Sequence, residues 1–173
     1  MNDLLMLAML LGEPKYGYQL KREAGWMMGQ EDLHNNVVYP MLRRFLNEGW
    51  VTRKAVPGER GQMRQQYALT AEGRRYFFER MNAFNDADAS SAEAFHLRVG
   101  IFAGLTPKSR EAILSGREKY LGLRDRKLEV LQANMGLGKY GEEIVCHMRK
   151  QIEMEQEWIR RLRRMAKTSG GSK

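Results

Sequence analysis

The spacing of hydrophobic positions changes period twice within the first 80 residues. Leu4, Leu5, Leu7, Ala8, Leu10 and Leu11 form a short apolar run closed by Gly12 and Pro14, which predicts a buried helix of about three turns. From Tyr16 to Trp26, the positions Tyr16, Leu20 and Ala24 recur every four residues while Lys21, Arg22 and Glu23 fall on other faces. That pattern predicts an amphipathic helix, interrupted at Gly25 and Gly29. A third helical stripe, Val38, Leu42, Phe45 and Leu46, follows Asn35 and Asn36, both good N-cap residues, and ends at Gly49. Pro40 removes about the first backbone bond of that helix and predicts a slightly irregular start.

The period then shortens. Residues 50–56 and 64–69 are β-prone and flank Pro57-Gly58-Glu59-Arg60-Gly61-Gln62, dense in turn formers and charge, so they read as a hairpin with a protruding tip. Thr70-Ala71-Glu72-Gly73 returns the chain to helix, with Thr70 as cap and Gly73 tolerated near the start; Tyr76, Phe77, Met81 and Phe84 carry the stripe on.

Beyond residue 80 the pattern is helical throughout. Asp86 to Ser91 reads as a polar joint, and Phe95, Val99 and Phe102 as the next stripe. Thr106 and Pro107 open a long helix as cap and first residue, and Gly136 and Gly138 break it. In the last helix Ile144, Met148, Ile152, Ile159 and Leu162 approach an alternating three-and-four spacing. Such a seam fits another helix, and these five residues are the candidate contacts for a second copy of the chain. The fold expected is mostly α, an α+β winged helix: an N-terminal winged helix-turn-helix with a two-stranded wing over residues 1–80, a helical dimerisation domain over 81–167, and a disordered Ser/Gly-rich tail over 168–173.

Composition narrows the function. Of 173 residues 43% are hydrophobic, enough for a core, and the net charge of +8 favours a polyanionic partner. The basic excess is shared: residues 1–80 hold 12 basic and 9 acidic side chains, residues 81–173 hold 17 and 12, so total charge does not locate a binding face. The single cysteine, Cys146, excludes an intrachain disulfide. His34, His96 and His147 lie far apart, without metal-ligand spacing. The apolar start lacks the basic flank and cleavage site of a signal peptide and is far short of a membrane span, so the cytoplasm is expected. No nucleophile motif, phosphate-cradling glycine loop or acid-base pair points to an enzyme, and no metal or cofactor is expected.

Three helices followed by a hairpin is the order in which a third helix enters the DNA major groove while the hairpin tip reaches the backbone. The residues placed to do this are Asn35, Asn36 and Tyr39, with Arg43 and Arg44 one turn on. Asn35 or Asn36 has a second role open to it, as the helix cap. Two adjacent arginines cannot point the same way, so at most one of Arg43 and Arg44 faces the groove. On the hairpin, Arg60 at the tip and Lys54 and Arg64 on the strands are candidate phosphate contacts.

At this point the residues match a family. Gly17-Tyr18-Gln19-Leu20, Tyr39-Pro40-Met41-Leu42-Arg43-Arg44-Phe45-Leu46-Asn47-Glu48-Gly49 and Arg64-Gln65-Gln66-Tyr67-Ala68-Leu69-Thr70-Ala71-Glu72-Gly73 closely resemble the PadR family of transcriptional regulators over roughly residues 1–78. The resemblance implies a homodimer held by C-terminal helices and repression at palindromic operators in double-stranded DNA. It also implies a response to small aromatic or hydrophobic effectors, for which Trp26, Met27, Met28, Trp50 and Trp158 are candidate lining. Asn36-Val37-Val38 stands where relatives commonly have Gly-Thr-Leu, and Gln66-Tyr67 where they have a Tyr-Tyr pair; the first departure means the operator sequence does not carry over. The competing reading is a winged helix used as a protein-interaction module, its C-terminal helices docking a partner, with Arg160, Arg161, Arg163 and Arg164 facing an acidic surface.

Overall fold

A computed structural model describes residues 2–27, 29, 31, 33–58 and 61–168. The chain divides into two compact units, Met1–Ala83 and Phe84–Lys173.

The first unit opens with α1 (Asn2–Met9), whose Met6 and Leu7 are fully buried together with Leu10 just beyond it. A short strand, β1 (Lys15–Tyr16), leads directly into α2 (Gly17–Met27). Gly25 lies buried inside α2 and does not interrupt it. The third helix, α3 (Asn35–Asn47), buries Val38, Met41, Leu42 and Phe45 and keeps Pro40 inside its length. Its N-cap is His34, which makes no side-chain cap bond. Asn35 and Asn36 therefore occupy the first turn as exposed residues, and neither is the cap. Gly49, at φ +71°, provides the left-handed turn by which the chain leaves the helix.

Strands β2 (Val51–Pro57) and β3 (Met63–Leu69) pair antiparallel from Val51 opposite Leu69 to Pro57 opposite Met63. The sheet has three strands rather than the expected two: β1 pairs antiparallel on the free edge of β3, with Lys15 opposite Tyr67, giving the order β1-β3-β2. Two residues so far from β3 in sequence carry no periodic signal of their own, which is why the hairpin alone was legible. Helix α4 (Ala71–Asn82) is capped by Thr70, whose Oγ1 accepts from the Gly73 N–H at 2.9 Å and donates to the Gly49 carbonyl at 2.7 Å. Gly73 is required there and not merely tolerated. A Cβ at that position would lie 2.0 Å from the Trp50 carbonyl oxygen.

The second unit is helical. The segment expected as a polar joint is a short helix, α5 (Asp86–Ser90), closed by a reciprocal capping box between Asn85 and Asp88. Ser91 caps α6 (Ala92–Gly100). One 3-10 turn (Phe102–Gly104) then leads to α7 (Pro107–Asn134), capped by Thr106 through the Ser109 N–H at 3.1 Å. After a turn with Gly136 at φ +47°, α8 (Lys139–Thr168) returns against α7. The core joins Phe95 of α6, Ile113, Leu114 and Leu121 of α7, and Val145, Ile152 and Ile159 of α8.

Two arginines are buried in this unit. Arg117 forks onto Glu155 at 2.8 and 2.9 Å and donates to the Ala89 carbonyl at 2.7 Å, tying the middle of α7 to the middle of α8 and the end of α5. Arg98 pairs with Asp88 at 3.0 Å and donates to the Ala94 carbonyl at 3.0 Å. Among the described residues no helix is long and apolar enough to cross a membrane, and no cluster of His, Cys, Asp and Glu side chains is placed to hold a metal ion. The proposed tail falls on residues 169–173, outside the described residues, while Thr168 itself ends α8.

Candidate nucleic-acid interface

The apolar face of α3 sets what its opposite face presents. With Val38, Met41, Leu42 and Phe45 turned inward, the 3.6-residue period leaves Asn36, Pro40, Arg43 and Asn47 on the outward ridge, with Tyr39 on one flank and Arg44 on the other. Asn35, Asn36, Arg43 and Asn47 are exposed, and Tyr39 is 41% exposed.

The paired arginines separate as helical geometry requires. Arg44 is held in an ion pair with Asp3 of α1, and its guanidinium lies over Phe45 at 5.7 Å. The pair engages this cation within the unit, although 52% of the Arg44 side chain stays exposed. Arg43 makes no ion pair or hydrogen bond among the described residues, so its cation is available to an external anion.

On the sheet, Lys54 is exposed on β2 opposite Gln66 of β3. Arg53 beside it is equally exposed and was not anticipated. Arg64 is half-buried, with its guanidinium 6.0 Å from the Tyr18 ring. Gly58 admits it closely: a Cβ there would sit 2.7 Å from Arg64 Nε. Arg60 lies outside the described residues. Lys15, by contrast, is spoken for: a hydrogen bond with Glu23, 3.1 Å away, raises its pKa above the usual lysine value.

Each tryptophan has its own surroundings within its unit. Trp26, at the end of α2, is 60% exposed with Arg22 above it at 5.0 Å. Met27 is exposed next to it, and Met28 lies outside the described residues. Trp50 has its faces taken by Tyr76, stacked at 3.8 Å, and Phe45 at 5.6 Å. It is half-buried, and these contacts within its own unit leave little free ring surface for the effector role expected of it. Trp158 borders an open recess of about 430 Å³, with His96, Arg117, Arg124 and Met154. Its ring meets Phe95 and His96 edge-on at 5.6 and 5.4 Å.

The seam on α8 is also corrected in part. Ile152, Ile159 and Leu162 are buried inside the second unit, so the helix that fills their seam is α7 of the same chain. Met148 is half-buried and Ile144 is 55% exposed. Arg163, proposed for an acidic partner, is already paired with Glu118 at 3.0 Å and Glu111 at 3.1 Å.

Residues 6–79 match the transcriptional regulator PadR-like family, a family of regulators and not of enzymes. No curated protein matches the chain. Among solved structures the chain is similar to Bacillus subtilis PadR in complex with operator DNA, at 14% identity over 95% of this chain and 98% of that one, with a TM-score of 0.46. It is also similar to a PadR family transcriptional regulator from Eggerthella lenta, at 30% identity over 44% of this chain and 65% of that one, TM-score 0.39. A transcriptional regulator from Clostridium thermocellum matches at 22% identity over 45% and 76% of the two chains, TM-score 0.41.

Proposed function

We propose that this chain, whose residues 6–79 match the PadR-like family of transcriptional regulators, binds double-stranded DNA as a cytoplasmic homodimer and represses transcription at palindromic operators. The observation that carries this reading is the outward ridge of α3. Asn36, Tyr39 and Arg43 stand free of the core, and Arg43 has no partner among the described residues. A cation left unpaired on a helix face, beside a hairpin bearing Lys54 and Arg64, suits a polyanion. In this reading residues 1–80 bind DNA and residues 81–167 dimerise.

Exposed apolar side chains near the turn between α7 and α8 support dimerisation by the second unit. Val130, Met135, Tyr140 and Ile144 are all exposed, and removing such surface from water is favourable. The recess beside Trp158 supports a small aromatic or hydrophobic effector that releases the DNA: its aromatic wall provides the contact area and Arg124 a charge to orient a polar end. The test is a gel-shift titration with DNA from upstream of the gene at two salt concentrations. Specific binding that weakens steeply with salt is expected; no retardation at low salt, or retardation indifferent to salt, refutes the proposal.

A further inference from the structure

The outward ridge of α3 carries side chains able to tell one base from another. With Val38, Met41, Leu42 and Phe45 defining the buried side, a rotation of about 100° per residue puts Asn36 and Arg43 within about 30° of the opposite side. They point the same way, two turns apart, and both are exposed. Asn35 and Arg44 are each turned nearly a third of a revolution away from these two. Pro40 stands between Asn36 and Arg43 on the ridge, also exposed, and its ring offers neither donor nor acceptor.

Both side chains keep their hydrogen-bonding capacity unspent. An asparagine this near a helix start commonly serves as the cap, but His34 occupies that place. The Asn36 carboxamide makes no hydrogen bond among the described residues. Arg43 is likewise without a partner among them, whereas Asp3 engages Arg44. A carboxamide presents an acceptor beside a donor, and a guanidinium presents paired donors in a fork. In the major groove adenine alone shows an acceptor, N7, beside a donor, N6. Guanine alone shows two adjacent acceptors, N7 and O6. Seven residues of helix rise about 10.5 Å, about three base-pair steps of 3.4 Å. A helix entering the groove at an angle shortens that to about two.

We infer that Asn36 reads an adenine and Arg43 a guanine about two or three base pairs away in the same half-site. The base pairs between them go unread by this ridge, because Pro40 has nothing to donate or accept. The inference rests on the DNA-binding reading and deepens it by naming the sequence feature recognised. The adenine contact is particular to this chain: Asn36 opens the run Asn36-Val37-Val38, where the family commonly has Gly-Thr-Leu, and a glycine has no side chain with which to make it.

The experiment uses the full chain and requires no known operator. Random-sequence duplexes are selected for binding and sequenced, for the wild type, Asn36→Ala and Arg43→Ala. The wild type should enrich an adenine and a guanine at the stated separation. Asn36→Ala should keep the guanine and lose the adenine, and Arg43→Ala should do the reverse. Replacing the selected adenine by 7-deazaadenine removes its N7 acceptor. That should weaken the wild type about fivefold for each half-site, the scale of one hydrogen bond, and leave Asn36→Ala unaffected. Melting temperatures and the affinity of Asn36→Ala for unselected duplexes should match the wild type. An adenine still enriched by Asn36→Ala, or an equal response of both proteins to 7-deazaadenine, overturns the assignment and leaves the DNA reading intact. So does wild-type binding that enriches neither base. Weaker binding of Asn36→Ala to all duplexes alike, with a lowered melting temperature, would mark the side chain as structural and also overturns it. A wild-type chain that binds no duplex overturns both readings.

Discussion

Gly73→Ala separates helix propensity from tertiary packing, because the two predict opposite signs. Position 73 lies in the first turn of α4, where alanine is favoured over glycine by about 1 kcal/mol on propensity alone. The added methyl would lie 2.0 Å from the Trp50 carbonyl oxygen, 2.8 Å from its carbon and 2.9 Å from its Cα. All three are backbone atoms, so no side chain can rotate away. Relief requires α4 and the Trp50 turn to part by about 1 Å or more, with the cost of overpacking a filled site, roughly 1–3 kcal/mol. The parting also stretches the bonds that hold this corner: Thr70 N–H to the Trp50 carbonyl at 3.0 Å, Thr70 Oγ1 to the Gly49 carbonyl at 2.7 Å, and Gly73 N–H to Thr70 Oγ1 at 2.9 Å. At about 1 kcal/mol each, weakening two of them outweighs the propensity gain. The expected net loss is about 2–4 kcal/mol, or roughly 10–25 °C in the melting temperature of a unit this size. Urea and thermal unfolding followed by circular dichroism and tryptophan fluorescence measure it, Trp50 being stacked on Tyr76 at the site. A variant as stable as the wild type, or more so, would refute the close-approach argument.

Further outcomes follow from particular side chains. Arg43→Ala should weaken operator binding by about 1–3 kcal/mol, whereas Arg44→Ala should change it much less, since its cation is held by Asp3; fluorescence anisotropy with both variants checks the contrast. Ile144→Glu, at an exposed apolar position, should shift the chain toward monomer in sedimentation without lowering its helix content. Glu155→Ala strands the Arg117 guanidinium in the core with only the Ala89 carbonyl. It should destabilise the second unit by about 3 kcal/mol or more, read as a shifted urea midpoint. A small aromatic panel should quench Trp158 fluorescence through the recess it borders, and a Trp158→Phe variant should lose that response.

Much of the exposed face of α3 was legible because it depends on neighbours along the chain. The stripe Val38, Leu42 and Phe45 predicts which side of α3 is buried, and so which residues are left outside. The hairpin strands were legible from composition and turn residues. What was not legible depends on distant partners. Nothing near Arg44 announces that Asp3 will meet it, and nothing near Tyr67 announces that Lys15 of β1 will pair opposite it. The seam Ile152, Ile159 and Leu162 announced a partner helix without saying which, and α7 of the same chain answers.

The sequence by itself determined the order of the longer helices and the hairpin, caps such as Thr70 and Thr106, and the buried faces. Hydrogen bonds of a helical turn, caps such as Thr70 and Thr106, and side-chain periodicity all act within a few residues, so local order suffices to encode them. Only the tertiary structure decided which cations remain unpaired, what encloses each tryptophan, and why Gly73 has to be glycine. Those outcomes depend on atoms brought together across tens of residues, and no local pattern records how closely two such segments will approach.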